Sequence, residues 1–255
     1  TSIKLGASVK TIGNNAFTAC HGVKELVIPA NVKNIQYNAF SNITKLETVT
    51  IGDSSAQTKL TELGSRVFEN CGELKTVVIG DTVGIIGDNC FNNCASLTTV
   101  TLGKNLKTIE YEAFRYCSRL ASIAFPASLE LVDNRAFYYC TALTSIDFGT
   151  GSPVIGNQAF EHCHSLKELV IPANIKNIGT SAFIGCKNLV SVTVGDDSNL
   201  GMRTVIGGAA FQDCEALTTA VIGNSVSKLD GKVFRNCKSL STVTIGANIE
   251  LVGDY

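Results

Sequence analysis

Cysteine and histidine are the side chains in this sequence that are best suited to chemistry. The 255 residues include 10 cysteines and 3 histidines. Cys163 directly precedes His164, a pair that offers a thiol nucleophile and a base, and Cys90 and Cys94 are spaced like half of a zinc site. However, Cys163 belongs to a series of cysteines that we expect to be buried, and no second Cys or His pair at ligand spacing lies near Cys90. The sequence predicts no catalytic residue, no metal site and no cofactor.

Nine of the ten cysteines recur at one position of a repeated pattern. A disulfide needs two side chains that face each other, whereas equivalent positions in stacked units point the same way. The tenth, Cys90, takes the place of an alanine in the pattern. We therefore expect free, buried thiols that pack as small apolar side chains. The nine are Cys20, Cys71, Cys94, Cys117, Cys140, Cys163, Cys186, Cys214 and Cys237.

Two kinds of loop resemble ligand-binding loops only superficially. Residues 149–156 are rich in glycine, but the helix and the Lys-Ser/Thr pair of a phosphate-binding loop do not follow them. Asp53, Asp196 and Asp197 open two longer loops, yet their spacing matches no calcium-binding loop. We interpret these segments as connections between structural units.

Composition excludes several classes of protein. Hydrophobic residues make up 45% of the chain and charged residues 17%, which is too apolar for intrinsic disorder. The net charge of −1 argues against nucleic acid or an anionic membrane as the main partner, because both select basic surfaces. No apolar run approaches the roughly 18 to 20 residues needed to cross a bilayer, and the chain does not open with a signal-peptide pattern.

Phenylalanine reveals an internal repeat of 23 residues, which is lengthened to 28 residues in two places. Each Phe is preceded five residues earlier by Ile, Leu or Val, and is followed by Cys three residues later and by Leu six residues later, with one exception in each of these two columns. A fixed period of this length is typical of a solenoid. The ten phenylalanines are Phe17, Phe40, Phe68, Phe91, Phe114, Phe137, Phe160, Phe183, Phe211 and Phe234.

Each unit contains two recognisable segments. The first, such as 97–102, alternates apolar and polar residues and ends at Gly or Pro, which predicts a short strand with one buried face. The second, such as 113–120, is apolar at every third position and predicts one or two turns of 3₁₀- or α-helix. No unit can bury its apolar columns alone, so we expect stacked units with a Phe ladder inside one domain that spans residues 1–255.

The repeated residues resemble leucine-rich repeats of the BspA-like type. The resemblance covers the whole chain and is clear in units such as residues 166–186. It implies an α/β fold: a right-handed leucine-rich-repeat solenoid with one short parallel strand per 23-residue repeat, a concave parallel sheet, and short 3₁₀ or α turns on the convex side. Members of this family include surface proteins of bacteria and protozoa, some of them adhesins, which implies a cell-surface or secreted location. Neither end shows a polar cap, so we expect a fragment of a longer protein.

The concave face of the predicted sheet is the first candidate binding surface. Its outward positions fall eight and ten residues after each Phe and are mostly Ser, Thr and Val. Such a curved face of low charge suits a protein or a glycan, although Thr and Val also favour strands for structural reasons alone. The candidate residues are Thr76, Val78, Thr99, Thr101, Ser122, Ser145, Asp147, Glu168 and Val170.

Two further surfaces are candidates. Aromatic side chains follow one another in successive units beside arginine, as in interaction hot spots, although stacking between units would give the same pattern. These residues are Arg115, Tyr116, Tyr138, Tyr139 and His162. The longer loops, 53–59 and 196–203, are the third surface, because insertions in a regular repeat often lie on a binding face; simple tolerance of extra loop residues is the alternative.

These observations favour non-catalytic binding or adhesion at the cell surface, with a protein or glycan of a host or neighbouring cell as the ligand. The alternative is a passive spacer that presents another domain, and an enzyme is a distant third. Neither nucleic acid nor membrane insertion is expected.

Overall fold

Each unit of the repeat contributes two short strands to the fold. The computed structural model describes residues 2–54, 61–196 and 198–253, which form a parallel β-solenoid of about eleven turns. The odd-numbered strands are β1 (Ser2–Ile3), β3 (Glu25–Ile28), β5 (Thr48–Ile51), β7 (Thr76–Ile79), β9 (Thr99–Thr101), β11 (Ser122–Ala124), β13 (Ser145–Asp147), β15 (Glu168–Ile171), β17 (Ser191–Val194), β19 (Thr219–Ile222) and β21 (Thr242–Ile245). The even-numbered strands are β2 (Thr11–Ile12), β4 (Asn34–Ile35), β6 (Thr61–Leu63), β8 (Val83–Ile86), β10 (Thr108–Ile109), β12 (Leu131–Val132), β14 (Val154–Ile155), β16 (Asn177–Ile178), β18 (Thr204–Ile206), β20 (Val226–Leu229) and β22 (Leu251–Val252).

The strands form two sides of the solenoid. The even-numbered strands make one continuous sheet of 11 strands, which we call sheet I, and the odd-numbered strands make sheet II. Every strand pairs in parallel with its equivalent one unit away, as Thr108 does with Leu131. The prediction of one strand per repeat is therefore wrong. The strands of sheet I are mostly two residues long, too short for alternation to show in the sequence, and form only because neighbouring units pair with them.

Sheet II is divided into three parts, whereas one parallel sheet was predicted. Its hydrogen bonding breaks between β9 and β11 and again between β13 and β15. In several units of this sheet, the glycine after the strand donates its N–H to the unit before, as Gly195 does to Ile171. Pro126 and Pro172, near the ends of β11 and β15, have no N–H to donate. Proline thus removes one hydrogen bond at each break, but it does not account for the breaks alone, because Pro29 follows β3 and β3 still pairs with β1.

The third side of the solenoid consists of tight turns. Within each unit we call the stretch from two residues before the repeated Phe to three residues after it the Phe segment. In one of these, Arg135, Phe137 and Tyr139 donate their N–H groups to the next unit at 2.8 to 2.9 Å, while Ala136, Tyr138 and Cys140 donate theirs three residues back. Arg135 and Tyr139 adopt left-handed φ angles of 56° and 58°, and both positions are left-handed in all ten units.

This hydrogen bonding excludes a helix in the Phe segments. A helix would direct every N–H back along its own chain, whereas here alternate N–H groups leave the unit. None of the described residues is helical. The α/β class and the 3₁₀ or α turns predicted from the sequence are therefore wrong, and the fold is an all-β solenoid with the character of leucine-rich repeats.

The Phe ladder runs through the core as predicted. Successive rings stack nearly parallel, with centroids 5.1 to 5.8 Å apart, and the eight inner rings are completely buried. Phe125 and Phe148 lie outside the repeat pattern but are buried too. Phe125 fills the inner position directly after β11 and contacts Phe137 in a tilted arrangement, at 5.9 Å between ring centroids. The ring of Phe125 therefore connects sheet II with the Phe ladder.

The cysteine series is buried and unpaired, as predicted. All ten thiols are free, and eight of them are fully buried. The sequence did not reveal their second role, which is to donate a weak hydrogen bond to the Phe carbonyl of the preceding unit. Cys140 Sγ, for example, lies 3.3 Å from the oxygen of Phe114. Burial raises the pKa of the Cys71 thiol to about 12, and that of Cys163 is raised for the same reason.

Candidate functional site

The outer face of sheet II carries all nine residues of the first candidate surface. They lie at the outward positions of β7 to β15, where the pleat turns alternate side chains away from the core. Thr76 and Val78 are half-buried, and the other seven are exposed. Val170 is 66% exposed, although it is fully apolar. The structure therefore brings the nine residues onto one open face.

The side chains of this face are mostly Ser, Thr and Val, so the face is largely uncharged, with hydroxyl groups beside some apolar area. Ser122 lies opposite Ser145, so two hydroxyl groups are neighbours across the strands, and Ala124 lies opposite Asp147, so one carboxylate stands beside a methyl group. Asp147 also accepts a hydrogen bond from the N–H of Gly149 at 2.9 Å, which fixes its carboxylate at the end of β13. A face of this kind offers hydrogen bonds to a partner.

A strip of aromatic rings crosses three Phe segments on the third side of the solenoid. We call it the aromatic edge and define it as Tyr116, Tyr138, Tyr139, His162 and His164 with Arg115 and Arg135. Tyr116, Tyr139 and His162 occupy the same position in successive units, with ring centroids 5.6 and 4.5 Å apart. Tyr138 packs 4.7 Å from Tyr139. The five residues of the second candidate surface therefore come together, as the sequence predicted.

Arginine packs onto these rings. The guanidinium carbon of Arg115 lies 4.6 Å from the ring centre of Tyr116 and 5.5 Å from that of Tyr138. Arg135, which the sequence did not indicate, lies 5.6 Å from the Tyr138 ring. All three distances are typical of cation–π contacts. Arginine therefore packs on the rings of Tyr116 and Tyr138 within the strip.

A chain of polar side chains runs beneath the aromatic edge. Glu112 Oε2 lies 2.8 Å from Arg115 Nη1, and its Oε1 lies 3.8 Å from Arg135 Nη1. Arg135 Nε donates to Gln158 at 2.9 Å, and Gln158 donates in turn to Glu161 at 2.6 Å. The series of polar contacts ends at Glu161, whose Oε1 lies 3.3 Å from Nε2 of His162.

Sequence reasoning missed most of this network, since it joins residues 23 positions apart. The available signal was the repeat itself: Glu112, Arg135 and Gln158 occupy one column of successive units and therefore had to be neighbours. His164 also joins the edge, with its ring centroid 5.4 Å from that of His162. Burial lowers the pKa of His164, with further contributions from His162 and Lys187. Burial also raises the pKa of Tyr138, beside Glu161.

Three polar atoms at the aromatic edge are buried without a hydrogen-bond partner in the part of the chain that the structure describes. They are Arg115 Nε, His162 Nδ1 and His164 Nε2. Most buried polar groups in proteins are paired. The edge therefore carries hydrogen-bonding capacity that the protein itself does not use.

The two longer loops fall partly outside the described residues. Residues 55–60 of the first loop and Asp197 of the second are among those that the structure does not describe, so the third candidate surface remains a prediction. Within the described ranges, no three Cys, His, Asp or Glu side chains cluster as a metal site would require. Nor does any helix there have the length and hydropathy to span a bilayer.

Comparison with known proteins agrees with this architecture. A leucine-rich repeat protein from Bacteroides ovatus is 24% identical, with 95% of this chain and 78% of that one covered and a TM-score of 0.61. A leucine-rich repeat protein from T. pallidum is 26% identical over 86% of this chain and 85% of its own, with a TM-score of 0.54. No curated protein matches the sequence. The family model for the BspA type leucine-rich repeat region matches residues 1–83, 61–190 and 153–255 in 6 copies. The chain thus belongs to the BspA-type leucine-rich repeat family.

Proposed function

We propose that this solenoid is a non-catalytic binding module that acts at the cell surface or after secretion. Its ligand is a protein or glycan on a host or neighbouring cell, and it binds on the outer face of sheet II. The observation that carries the proposal is the exposure of the outward side chains over four consecutive strands, β9 to β15. Solenoids use extended faces of this kind for recognition.

The chemistry of the face supports recognition of a macromolecule. Thr99, Thr101, Ser122 and Ser145 give rows of hydroxyl groups, and Val170 adds exposed apolar area. Membership of the BspA-type family supports the surface location, because the members that it resembles include surface adhesins.

A spacer is the second candidate function, and the continuity of sheet I favours it. Eleven strands pair without a break along the whole described length. Such a sheet gives the molecule a stiff axis on which another domain can be presented. A spacer does not need the side chains of sheet II, and this is the difference that an experiment can measure.

Binding to a panel of matrix proteins and glycans tests the two candidates. The face variant combines Thr101→Lys, Asp147→Lys and Val170→Lys, all at exposed positions of sheet II. The matched control combines Thr11→Lys, Asn34→Lys and Glu62→Lys, which are exposed positions of sheet I and change the net charge equally. Circular dichroism checks that both variants fold.

We expect the affinity of the face variant to fall at least about tenfold. The three side chains would be buried against the ligand in the complex, and together their loss should cost more than the 1.4 kcal/mol of binding free energy that corresponds to tenfold. The control should retain the affinity of the original protein. Equal losses in both variants would show that charge alone weakens binding. If the original protein binds no member of the panel, the result would favour the spacer.

A further inference from the structure

We propose that the aromatic edge is a second binding site, specific for a glycan chain whose pyranose rings carry carboxylate or sulfate groups. This site lies on the Phe segments and not on sheet II, so it goes beyond the proposed function and stands or falls separately. Four features of the edge support it: its exposed positive charge, its spacing, its unused polar atoms, and the amide groups that continue it.

Positive charge is exposed at the aromatic edge while the balancing negative charge is buried. The side chains of Arg115 and Arg135 are 30% and 39% exposed, whereas that of Glu112, which lies between them, is 6% exposed. Glu161 is likewise only 12% exposed. A partner that approaches from solvent therefore meets guanidinium groups, which favours an anionic ligand.

Arg135 has donor capacity for an acid group. Its Nε proton goes to Gln158, and its Nη1 lies 3.8 Å from Glu112, which is too far for a hydrogen bond. The planar guanidinium group can bind a carboxylate or a sulfate through two parallel N–H bonds. The unpartnered Arg115 Nε, His162 Nδ1 and His164 Nε2 lie in the same strip.

The spacing of the rings favours a sugar chain over a peptide. The equivalent rings of Tyr116, Tyr139 and His162 follow each other at 5.6 and 4.5 Å. An extended peptide places the side chains of one face about 6.6 to 6.8 Å apart, so it falls out of register after two units. A linked pyranose chain advances by about one unit of the solenoid per ring, and can present an acid group or a ring face at each one.

Amide groups continue the aromatic edge toward the N-terminus. Asn42, Asn70 and Asn93 occupy the position that Tyr116 occupies in the next unit. Asn70 donates to Asn42 at 3.2 Å, and Asn93 donates to Asn70 at 2.9 Å. Planar amides in a row both donate and accept, which suits sugar hydroxyl groups. Toward the C-terminus the aromatic edge ends at Gly185, which has no side chain. The aromatic edge therefore has a defined length and direction.

Calorimetry with four probes tests the proposal. These are a heparin octasaccharide, which carries sulfate, an oligogalacturonate octamer, which carries carboxylate, neutral cellohexaose, and poly-L-glutamate as an acidic peptide. The first two distinguish the kinds of acid group. We expect at least one of the two acidic oligosaccharides to bind and cellohexaose not to bind. Poly-L-glutamate should bind at least about tenfold more weakly than the acidic oligosaccharide, because the spacing of its side chains does not match that of the rings.

Matched variants locate the site. Arg115→Gln with Arg135→Gln removes two positive charges at the edge. Arg235→Gln with Arg66→Gln removes two from the same two columns in distant units, where both residues are exposed. Loss of hydrogen bonds to a charged group should weaken binding by about tenfold or more in the edge variant, and by less than about twofold in the control.

A second edge variant guards against a failure to fold, because removal of both arginines leaves Glu112 buried without its partners. Tyr116→Asn with Tyr139→Asn keeps the left-handed backbone, since Asn stands at this position in four other units and tolerates it. It should also lose about tenfold in affinity for the acidic oligosaccharide.

Four outcomes would overturn the proposal. They are no binding of either acidic oligosaccharide, equal binding of cellohexaose, equal or tighter binding of poly-L-glutamate, and equal weakening by the control arginine pair. None of them bears on the sheet II face, which its own variants test.

Discussion

The imidazole of His162 lies over Gly185, in the space that a side chain on the next unit would fill. An ideal Cβ on Gly185 would be 2.4 Å from His162 Nδ1, and Gly185 also has a left-handed φ of +70°. The equivalent residues of most other units carry side chains and stack on one another. Gly185 therefore allows His162 to fold down against the chain, and this contact closes the aromatic edge.

Substitution of Gly185 tests this contact. Gly185→Ala should displace the His162 ring and reduce the free energy of unfolding by about 1 to 2 kcal/mol, because a left-handed alanine is strained and its methyl group meets the imidazole. Chemical shifts of the His162 ring protons and urea denaturation measure the two effects. The double variant with His162→Ala should recover the part of the loss that the clash causes. An unchanged His162 spectrum in Gly185→Ala would contradict the contact.

The Phe ladder should be least tolerant of change in its middle. Phe137 is completely buried and stacks on Phe114 and Phe160 at 5.2 and 5.1 Å. Phe137→Ala should therefore cost about 3 to 5 kcal/mol of stability in urea denaturation. Phe17 is only half-buried and, among the described residues, stacks on Phe40 alone, so Phe17→Ala should cost clearly less. Equal losses at the two positions would argue against a continuous core.

Thiol titration checks the cysteine series. Eight thiols are fully buried, and Cys20 and Cys237 are partly exposed. Burial raises the pKa of Cys237 to about 12, so even this thiol reacts slowly near neutral pH. At about pH 8 we expect a disulfide reagent to modify Cys20 first, Cys237 slowly, and the rest only after denaturant is added. Rapid reaction of more than two thiols in the native protein would show that the core opens.

Acid should weaken the fold through His164. Burial lowers its pKa in the folded state, so between that value and the ordinary value of about 6.5 the unfolded chain binds more protons. Stability should therefore fall as the pH drops through about 6.5 and below. The difference between the urea midpoints at pH 7.5 and pH 5.5 measures the effect. His164→Thr, which installs the residue found at Thr141 one unit earlier, should reduce that difference; an unchanged difference would exclude His164 as its cause.

The core of this protein could be predicted from its sequence because the repeat marks it directly. Phe114 and Phe137 are separated by one period and hold equivalent apolar neighbours, and a stack of such units leaves few alternatives for them. The burial of Cys140 followed from the same argument. The outward position of Thr99 and Thr101 was also correct, since alternation along a strand of this length is visible.

The backbone of the Phe segments could not be predicted in the same way. Tyr116 and Glu112 both adopt left-handed φ angles, yet neither residue type signals that conformation. Spacing of apolar residues by three suits a helical turn as well as the observed one, and the choice depends on hydrogen bonds to the next unit. The link from Arg135 to Gln158 was hidden for the same reason: only the stacked structure makes these residues neighbours.

At most junctions three ladders of hydrogen bonds join one unit to the next, in sheet I, in sheet II and between the Phe segments, and all of them run along the length of the molecule. A force applied to the two ends would therefore act on all the junctions in series, and the weakest junction would separate first. Each freed unit of 23 residues would add about 80 Å of slack chain. The breaks in sheet II beside Pro126 and Pro172 leave two junctions with one ladder fewer, and these would yield early. We therefore expect the molecule to lengthen in steps under tension.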